Sequence, residues 1–124
     1  VDLVVTHPEG YELDPLFVGD ARVEYDQRKA FENADFIYAN NWSCPGVTRP
    51  EDYGKVISKD ADWTVDSEKM SLTNDAAFMH CLPVRRNVIV TDDVIESPRS
   101  LVIPEAANRE ISATVVMKRL LESL

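Results

Sequence analysis

The chain is organised around a short stretch in which an apolar run gives way to reactive polar residues: Ala77-Phe78-Met79-His80-Cys81-Leu82-Pro83-Val84-Arg85-Arg86-Asn87. The apolar run, which starts at Ala76, predicts a buried strand. The imidazole of His80, the thiol of Cys81 and two guanidinium groups would then follow at the carboxyl end of that strand. Because ligands bind at the carboxyl ends of strands in open α/β sheets, the stretch is a candidate active site.

Each of these residues also has a purely structural interpretation. A cysteine that follows a strand commonly packs as a small apolar residue, and neighbouring arginines commonly lie in solvent. The sequence defines no general base, so Cys81 and His80 are not established as a nucleophilic pair. His80 can act in catalysis or can simply orient Cys81, and both roles stay open. The peptide bond between Leu82 and Pro83 can be cis, because the cis form has a low energetic cost only before proline, and a cis bond would redirect backbone carbonyls toward a ligand.

Composition and charge restrict the class of protein. A chain of 124 residues, of which 44% are hydrophobic, predicts one globular domain. The formal net charge of −9 argues against a nucleic-acid partner, because no basic stripe is present to neutralise phosphates. No apolar run approaches the length of a membrane span, so we expect no membrane association. Two cysteines, Cys44 and Cys81, are too few for a disulfide framework and favour a reduced, cytoplasmic protein.

Predicted strands and helices alternate along the chain. Strands are expected at 3–5, 22–25, 35–39, 76–79 and 101–103, and helices at 14–19, 26–33, 64–70, 91–95 and 110–124. Residues 43–59, rich in proline, glycine and charge, are expected to form a long loop. Alternation of this kind favours parallel strands joined by right-handed crossovers. The expected fold is therefore α/β, a doubly wound parallel sheet with helices on both faces.

The last helix is the most strongly patterned of these elements. Its apolar residues recur at helical spacing and form one face: Ala113, Val116, Met117, Leu120, Leu121 and Leu124. Charged residues lie opposite: Lys118, Arg119 and Glu122. We interpret the apolar face as a packing surface.

Two motifs, in this order, resemble the second domain of the ornithine carbamoyltransferases, within the aspartate/ornithine carbamoyltransferase superfamily. The first is His80-Cys81-Leu82-Pro83, and the second is Ser97-Pro98-Arg99-Ser100-Leu101-Val102-Ile103-Pro104-Glu105-Ala106-Ala107-Asn108-Arg109. The continuation of the first motif, Val84-Arg85-Arg86-Asn87, resembles the branch that acts on N-acylated ornithine. The resemblance covers nearly the whole chain, 1–124, and points to a C-terminal, substrate-binding domain.

The resemblance implies a Rossmann-like domain that forms one half of a two-domain enzyme. A further strand and helix would precede Val1, and a separate N-terminal domain would bind carbamoyl phosphate. We therefore expect the chain to be a fragment that is inactive alone and self-associates. The complete enzyme is expected to be a homotrimer in arginine biosynthesis. Its partners would be two small molecules, carbamoyl phosphate and an N-acylornithine, and we expect no cofactor and no metal ion.

In enzymes of this family the δ-amino group of the ornithine derivative attacks the carbonyl carbon of carbamoyl phosphate and expels phosphate. The resemblance implies that Cys81 lies beside the attacking amine and that Arg109 completes the carbamoyl phosphate site. The resemblance also implies a cis peptide bond between Leu82 and Pro83, which would expose the carbonyl oxygen of Leu82 so that it accepts hydrogen bonds from the carbamoyl amide group. Cys81, His80 and Arg109 are thus the catalytic candidates, and Cys81, Leu82 and Arg109 are the candidates for binding carbamoyl phosphate.

Substrate choice is expected to depend on the end of the third strand, where Asn40 and Trp42 are candidates for binding the substrate. Ornithine enzymes carry an aspartate two residues before a tryptophan, followed by a Ser-Met-Gly loop, whereas this chain has Asn40 before Trp42 and no Ser-Met-Gly. A buried carboxylate would have no partner beside an uncharged acylated nitrogen, so Asn40 suits an acylated substrate. Arg85 is the candidate for the substrate α-carboxylate, with Arg86 as a further candidate that can instead be structural. The acylornithine branch is expected to carry lysine at position 40, so Asn40 departs from that pattern.

Three interpretations follow. The first is the substrate-binding domain of an N-acylornithine carbamoyltransferase, with N-succinylornithine favoured over N-acetylornithine. The second is the same domain of an ordinary ornithine carbamoyltransferase, which Asn40 and the missing Ser-Met-Gly disfavour. The third is a non-catalytic doubly wound binding domain, which would not bring Cys81, Arg85 and Arg109 together at one edge.

Overall fold

The computed structural model of this chain describes residues 1–41 and 61–124. Four short strands are present in these ranges: β1 (Val4–Thr6), β2 (Arg22–Glu24), β3 (Phe36–Ala39) and β4 (Ala77–His80). Five α-helices accompany them: α1 (Pro15–Val18), α2 (Gln27–Phe31), α3 (Ser67–Met70), α4 (Asp92–Ile95) and α5 (Val102–Glu122). A 3₁₀ turn, Ala61–Trp63, precedes α3. The predicted loop at 43–59, with Cys44, lies outside the described residues.

Three of the helices begin at an aspartate whose side chain caps the first turn. The caps are Asp14 for α1, Asp26 for α2 and Asp66 for α3. Their carboxylates accept hydrogen bonds from the backbone N–H groups of Leu16, Arg28 and Lys69 at 2.8, 3.0 and 2.9 Å. Each bond satisfies a donor that the helix itself leaves unpaired. The predicted starts of α1 and α2, at Asp14 and Asp26, are confirmed.

The strands pair in parallel. β1 pairs with β2, and β3 pairs with β4 with Ile37 opposite Phe78 and Ala39 opposite His80. Between the members of each pair the chain passes through helix, as parallel strands require. The predicted α/β class with parallel strands is therefore confirmed. Within the described residues the strands form two separate pairs.

The prediction of a strand at 101–103 is wrong, because helix α5 starts at Val102. The chain makes one isolated parallel bridge, between Ser100 and Phe78, and then turns into the helix. The β-branched residues at 102 and 103 suggested a strand. Pro104 is nevertheless compatible with the helix, because the first-turn N–H groups have no helical acceptor and none is lost. The first helical hydrogen bond runs from the Glu105 N–H to the Leu101 carbonyl, at 2.9 Å.

The hydrophobic core lies around β3 and β4. Phe78, in β4, is fully buried, and Ile37 in β3 and Phe31 in α2 are each less than 10% exposed. Helix α4 and the first residue of α5 close the same cluster, whose buried members are Phe31, Ile37, Val65, Ala76, Phe78, Val90, Val94, Ile95 and Val102. This packing fixes the carboxyl ends of β3 and β4 relative to each other.

The apolar face of helix α5 is exposed to solvent. All residues from 107 to 124 are exposed, including Met117, Leu120 and Leu121 at 59, 58 and 66%. The predicted packing face is thus not covered by the part of the chain that the structure describes. No helix in residues 1–41 and 61–124 is both long and apolar enough to cross a membrane.

Candidate active site

The candidate site lies where β3 and β4 end side by side. Ala39 is opposite His80, so the residues after each strand emerge together at the carboxyl edge of the pair. The Asn41 side-chain amide donates a hydrogen bond to the Pro83 carbonyl oxygen at 3.2 Å and so joins the two following segments. Cys81 is exposed at this edge as a free thiol. The sequence prediction that this stretch leaves a strand at its carboxyl end is confirmed.

The segment after β4 has an unusual backbone. The peptide bond between Leu82 and Pro83 is cis, as predicted, and Leu82 has a φ of 47°. A leucine in this left-handed region is disfavoured by contact between its Cβ atom and the backbone. The Leu82 N–H donates to His80 Nδ1 at 2.9 Å, and this bond holds the turn. The orientation of the Leu82 carbonyl therefore depends on His80.

His80 faces the protein interior. It is fully buried, and burial lowers its pKa, an effect that the charge of Glu105 opposes. Because Nδ1 accepts the Leu82 N–H, the proton of the neutral ring is on Nε2. The two roles that the sequence left open for His80, in catalysis and in orienting Cys81, both stay predictions. The hydrogen bond orients the backbone of Leu82 directly.

The three arginines that the sequence singled out differ in their surroundings. Arg86 Nε lies 2.6 Å from Asp92 Oδ1, and its Nη2 lies 2.5 Å from Glu96 Oε1, so its guanidinium is engaged with α4. This is what the structural interpretation of Arg86 predicts, and its contact with substrate stays a prediction. The side chain of Arg85 is exposed and, among the described residues, has no hydrogen-bond or ion-pair partner.

Arg109 lies on α5, one turn after Glu105 and on the same face of the helix. Glu105 reaches β3, because its Oε1 accepts a hydrogen bond from the Tyr38 hydroxyl at 2.8 Å. Within the described ranges the Arg109 side chain is exposed and unpartnered. Its position on α5 is compatible with the predicted role in binding carbamoyl phosphate, and that role stays a prediction.

At the end of β3, Asn40 is exposed and its Oδ1 accepts the Asn41 N–H at 2.8 Å. Its side-chain NH₂ has no partner in the part of the chain that the structure describes. A free amide donor suits an uncharged carbonyl oxygen. Trp42, the other residue predicted to bind substrate at this strand end, lies outside the described residues.

Tyr38 and Glu105 are two site residues that the sequence analysis did not identify. The hydrogen bond to Glu105, together with burial and the neighbouring Cys81 thiol, raises the pKa of Tyr38 to about 12. Glu105 is part of the second motif, but its contact is with a residue 67 positions away in the sequence. No local pattern signals such a pairing.

The edge therefore combines an exposed thiol, the Asn40 amide and a turn that a buried imidazole holds, and an exposed guanidinium, that of Arg85, follows in the same segment. These groups can bind a carboxylate and an amide and can hold two small molecules in line. In residues 1–41 and 61–124 no group of three or more potential ligands is suited to a metal ion.

Comparison with known proteins places the chain among carbamoyltransferases. Residues 1–120 match the aspartate/ornithine carbamoyltransferase, Asp/Orn binding domain family. The chain is 70% identical over 123 residues to N-succinylornithine carbamoyltransferase of Bacteroides fragilis (strain 638R), a match that covers 99% of this chain and 38% of that protein. It is 40% identical over 92 residues to N-acetylornithine carbamoyltransferase of Xanthomonas campestris pv. campestris, covering 73% of this chain and 27% of that one.

A solved structure of a transcarbamylase is also similar to this chain. An N-acetyl-L-ornithine transcarbamylase mutant complexed with carbamyl phosphate and N-succinyl-L-norvaline matches with a TM-score of 0.77 and 35% identity. The match covers 87% of this chain and 36% of that chain. The present chain thus spans well under half the length of the relatives it matches. It belongs to the aspartate/ornithine carbamoyltransferase family, whose Asp/Orn binding domain it matches over almost its full length.

Proposed function

We propose that the complete protein containing this chain transfers the carbamoyl group of carbamoyl phosphate to the δ-amino group of N-succinylornithine, in arginine biosynthesis. The amine nitrogen forms a bond to the carbonyl carbon, the bond from that carbon to the phosphate oxygen breaks, and the amine loses a proton. The observation that carries the proposal is that Cys81 is exposed after β4, next to the end of β3 where Asn40 lies. Arg85 follows in the same segment as Cys81, is exposed, and has no side-chain partner among the described residues.

In this proposal Arg85 binds the α-carboxylate of the acceptor, because a guanidinium matches a carboxylate in charge and geometry. The free NH₂ of Asn40 donates to the acyl carbonyl. Cys81 lies beside the attacking amine, and Arg109 and the Leu82 carbonyl bind carbamoyl phosphate. The site would act by holding both reactants in line and by stabilising the charge that develops on the carbonyl oxygen and the phosphate.

The acyl group is assigned from the sequence identity of this chain to two relatives that act on different acylornithines. The identity of 70% to a succinylornithine enzyme exceeds the 40% to an acetylornithine enzyme. We further propose that the complete protein is cytoplasmic and homotrimeric, with the carbamoyl phosphate site built mainly by a domain outside this chain. An ordinary ornithine enzyme is the competing proposal, and Asn40 disfavours it because an amide cannot neutralise a free α-ammonium group.

The test is a carbamoyl-transfer assay of the complete protein with three acceptors. We expect kcat/KM to decrease in the order N-succinylornithine, N-acetylornithine, ornithine. The variant Cys81→Ala should lose activity with all three acceptors, and Cys44→Ala provides the matched control. A preference for unmodified ornithine would contradict the proposal and favour the competing one.

A further inference from the structure

Two buried polar atoms beneath the candidate site have no hydrogen-bond partner among the described residues. They are His80 Nε2 and Glu105 Oε2. His80 is fully buried, so solvent does not satisfy its Nε2. Buried polar atoms in native proteins are almost always hydrogen-bonded, directly or through an ordered water.

The two atoms are a donor and an acceptor. His80 Nδ1 already accepts the Leu82 N–H at 2.9 Å, so the proton of the neutral ring is on Nε2. Glu105 Oε1 accepts the Tyr38 hydroxyl at 2.8 Å, and the remaining oxygen of an ionised carboxylate can only accept. His80 Nε2 can therefore donate a hydrogen bond, and Glu105 Oε2 can accept one.

The backbone brings these residues to the same place. Ser100 forms a parallel bridge with Phe78, two residues before His80, and Glu105 lies in the first turns of the helix that follows. Among the charged groups of the described chain, Glu105 is the one that acts on the pKa of His80, which it raises against the effect of burial.

We propose that Glu105 is a positioning residue, whose Oε2 accepts a hydrogen bond from the His80 Nε2–H group through one water. The result is a hydrogen-bonded chain from the Tyr38 hydroxyl through Glu105 and His80 to the Leu82 N–H. This chain joins β3, α5 and the turn after β4. It fixes the ring in the tautomer whose Nδ1 holds the left-handed Leu82.

The consequence for catalysis rests on the proposed function, in which the Leu82 carbonyl binds the carbamoyl group. Glu105 touches neither substrate in this arrangement. It acts through His80 by keeping the Leu82 carbonyl in one orientation. Misplacement of a reacting group by about 1 Å can reduce a rate by about a hundredfold, so a residue in this position affects kcat.

The first experiment is a nitrogen NMR titration of the chain labelled at histidine. The sequence contains two histidines, so His7 serves as an internal reference. We expect His80 to carry its proton on Nε2. In Glu105→Gln, which keeps the shape and removes the charge, the pKa of His80 should fall further. The same substitution at the exposed Glu110, on the same helix, should leave it unchanged.

A proton on Nδ1, or an unchanged His80 titration in Glu105→Gln, would overturn the proposal. A structural role alone would not shift the midpoint of this titration in a folded variant, and circular dichroism verifies that the variant is folded. This outcome is independent of any enzymatic activity. It therefore distinguishes failure of the positioning role from failure of the proposed function.

The second experiment measures the kinetics of the complete protein. Glu105→Gln should lower kcat about 10- to 100-fold and change KM for the acceptor little, because Glu105 does not contact it. Glu110→Gln should behave as the unmodified protein. An unchanged kcat in Glu105→Gln would overturn the role of Glu105 in placing Leu82. A complete protein without carbamoyl transfer would instead overturn the proposed function, and the His80 titration would still test the hydrogen bond.

Discussion

At the scale of single residues, His80 illustrates how burial assigns a role that residue type leaves open. A histidine in an active-site motif suggests proton transfer, but this ring is buried and uses Nδ1 to hold the Leu82 N–H. The motif predicts a candidate site, and in the structure the buried ring holds the turn that follows β4. The sequence could not supply this, because burial depends on residues from other elements.

We predict that the free energy of unfolding falls as pH decreases below about 6.5, the ordinary pKa of histidine. Burial lowers the pKa of folded His80, so the unfolded chain binds the proton first and acid favours unfolding. The stabilisation that depends on neutral His80 is complete above about pH 6.5 and is lost as pH falls toward the pKa of His80 in the folded chain. Asp92 and Asp93, whose pKa values are lowered from 3.8, contribute only in stronger acid.

Urea unfolding at a series of pH values measures this effect. The variant His80→Gln should be less stable than the unmodified chain, with a flatter dependence on pH between about 5 and 7. An equally steep dependence in that variant would show that His80 is not its source.

Asn40 provides a prediction about specificity. In the complete protein, Asn40→Asp should reduce kcat/KM for N-succinylornithine by a factor that corresponds to about 1–3 kcal/mol, because a carboxylate would face an uncharged amide group. Asn33→Asp, at an exposed position away from the site, is the matched control. Unchanged kcat/KM in Asn40→Asp would mean that position 40 does not face the acylated nitrogen.

At the scale of elements, the aspartate helix caps could be predicted from the sequence, whereas the start of α5 and the contacts between elements could not. The aspartates that start α1 and α2 were recognised because a cap bonds to N–H groups two or three residues away. The start of α5 was missed because Val102 and Ile103 have high strand propensity, and packing at Val102 decides otherwise. The bond between Tyr38 and Glu105 joins two elements, and periodicity within either element carries no information about it.

The cap of α2 gives a prediction at this scale. Asp26 accepts hydrogen bonds from the N–H groups of both Arg28 and Lys29. Asp26→Ala should therefore lower the free energy of unfolding by about 1 kcal/mol. Chemical denaturation measures it, with the exposed Asp20→Ala as the control. Equal stability of the two variants would contradict the capping role.

At the scale of the whole molecule, α5 carries a long apolar face that the described residues leave uncovered. Its apolar face is exposed from Ile111 to Leu121 in a chain that spans 38% of a relative's length. Exposed apolar surface of this kind favours association. The chain thus presents the candidate site at the edge of β3 and β4 together with a helix face that the described residues do not cover.

We predict that the 124-residue chain self-associates and has no carbamoyltransferase activity alone. Size-exclusion chromatography with light scattering measures the association, and an assay at high protein concentration measures the activity. Leu120→Glu should shift the chain toward monomer, because it places a charge on the exposed apolar face, whereas Lys118→Glu, on the charged face, should not. A monomeric chain with measurable turnover would contradict both parts.

The central claim is that the carboxyl edge of β3 and β4 binds the acylated amino acid. The most direct test is calorimetric titration of the complete protein, saturated with carbamoyl phosphate, with N-succinyl-L-norvaline, which lacks the attacking amine. Arg85→Gln should weaken binding about 10- to 100-fold, the loss of one charged carboxylate contact. Arg22→Gln, at an exposed arginine of β2, should bind like the unmodified protein. Equal affinity of Arg85→Gln and the unmodified protein would contradict the claim.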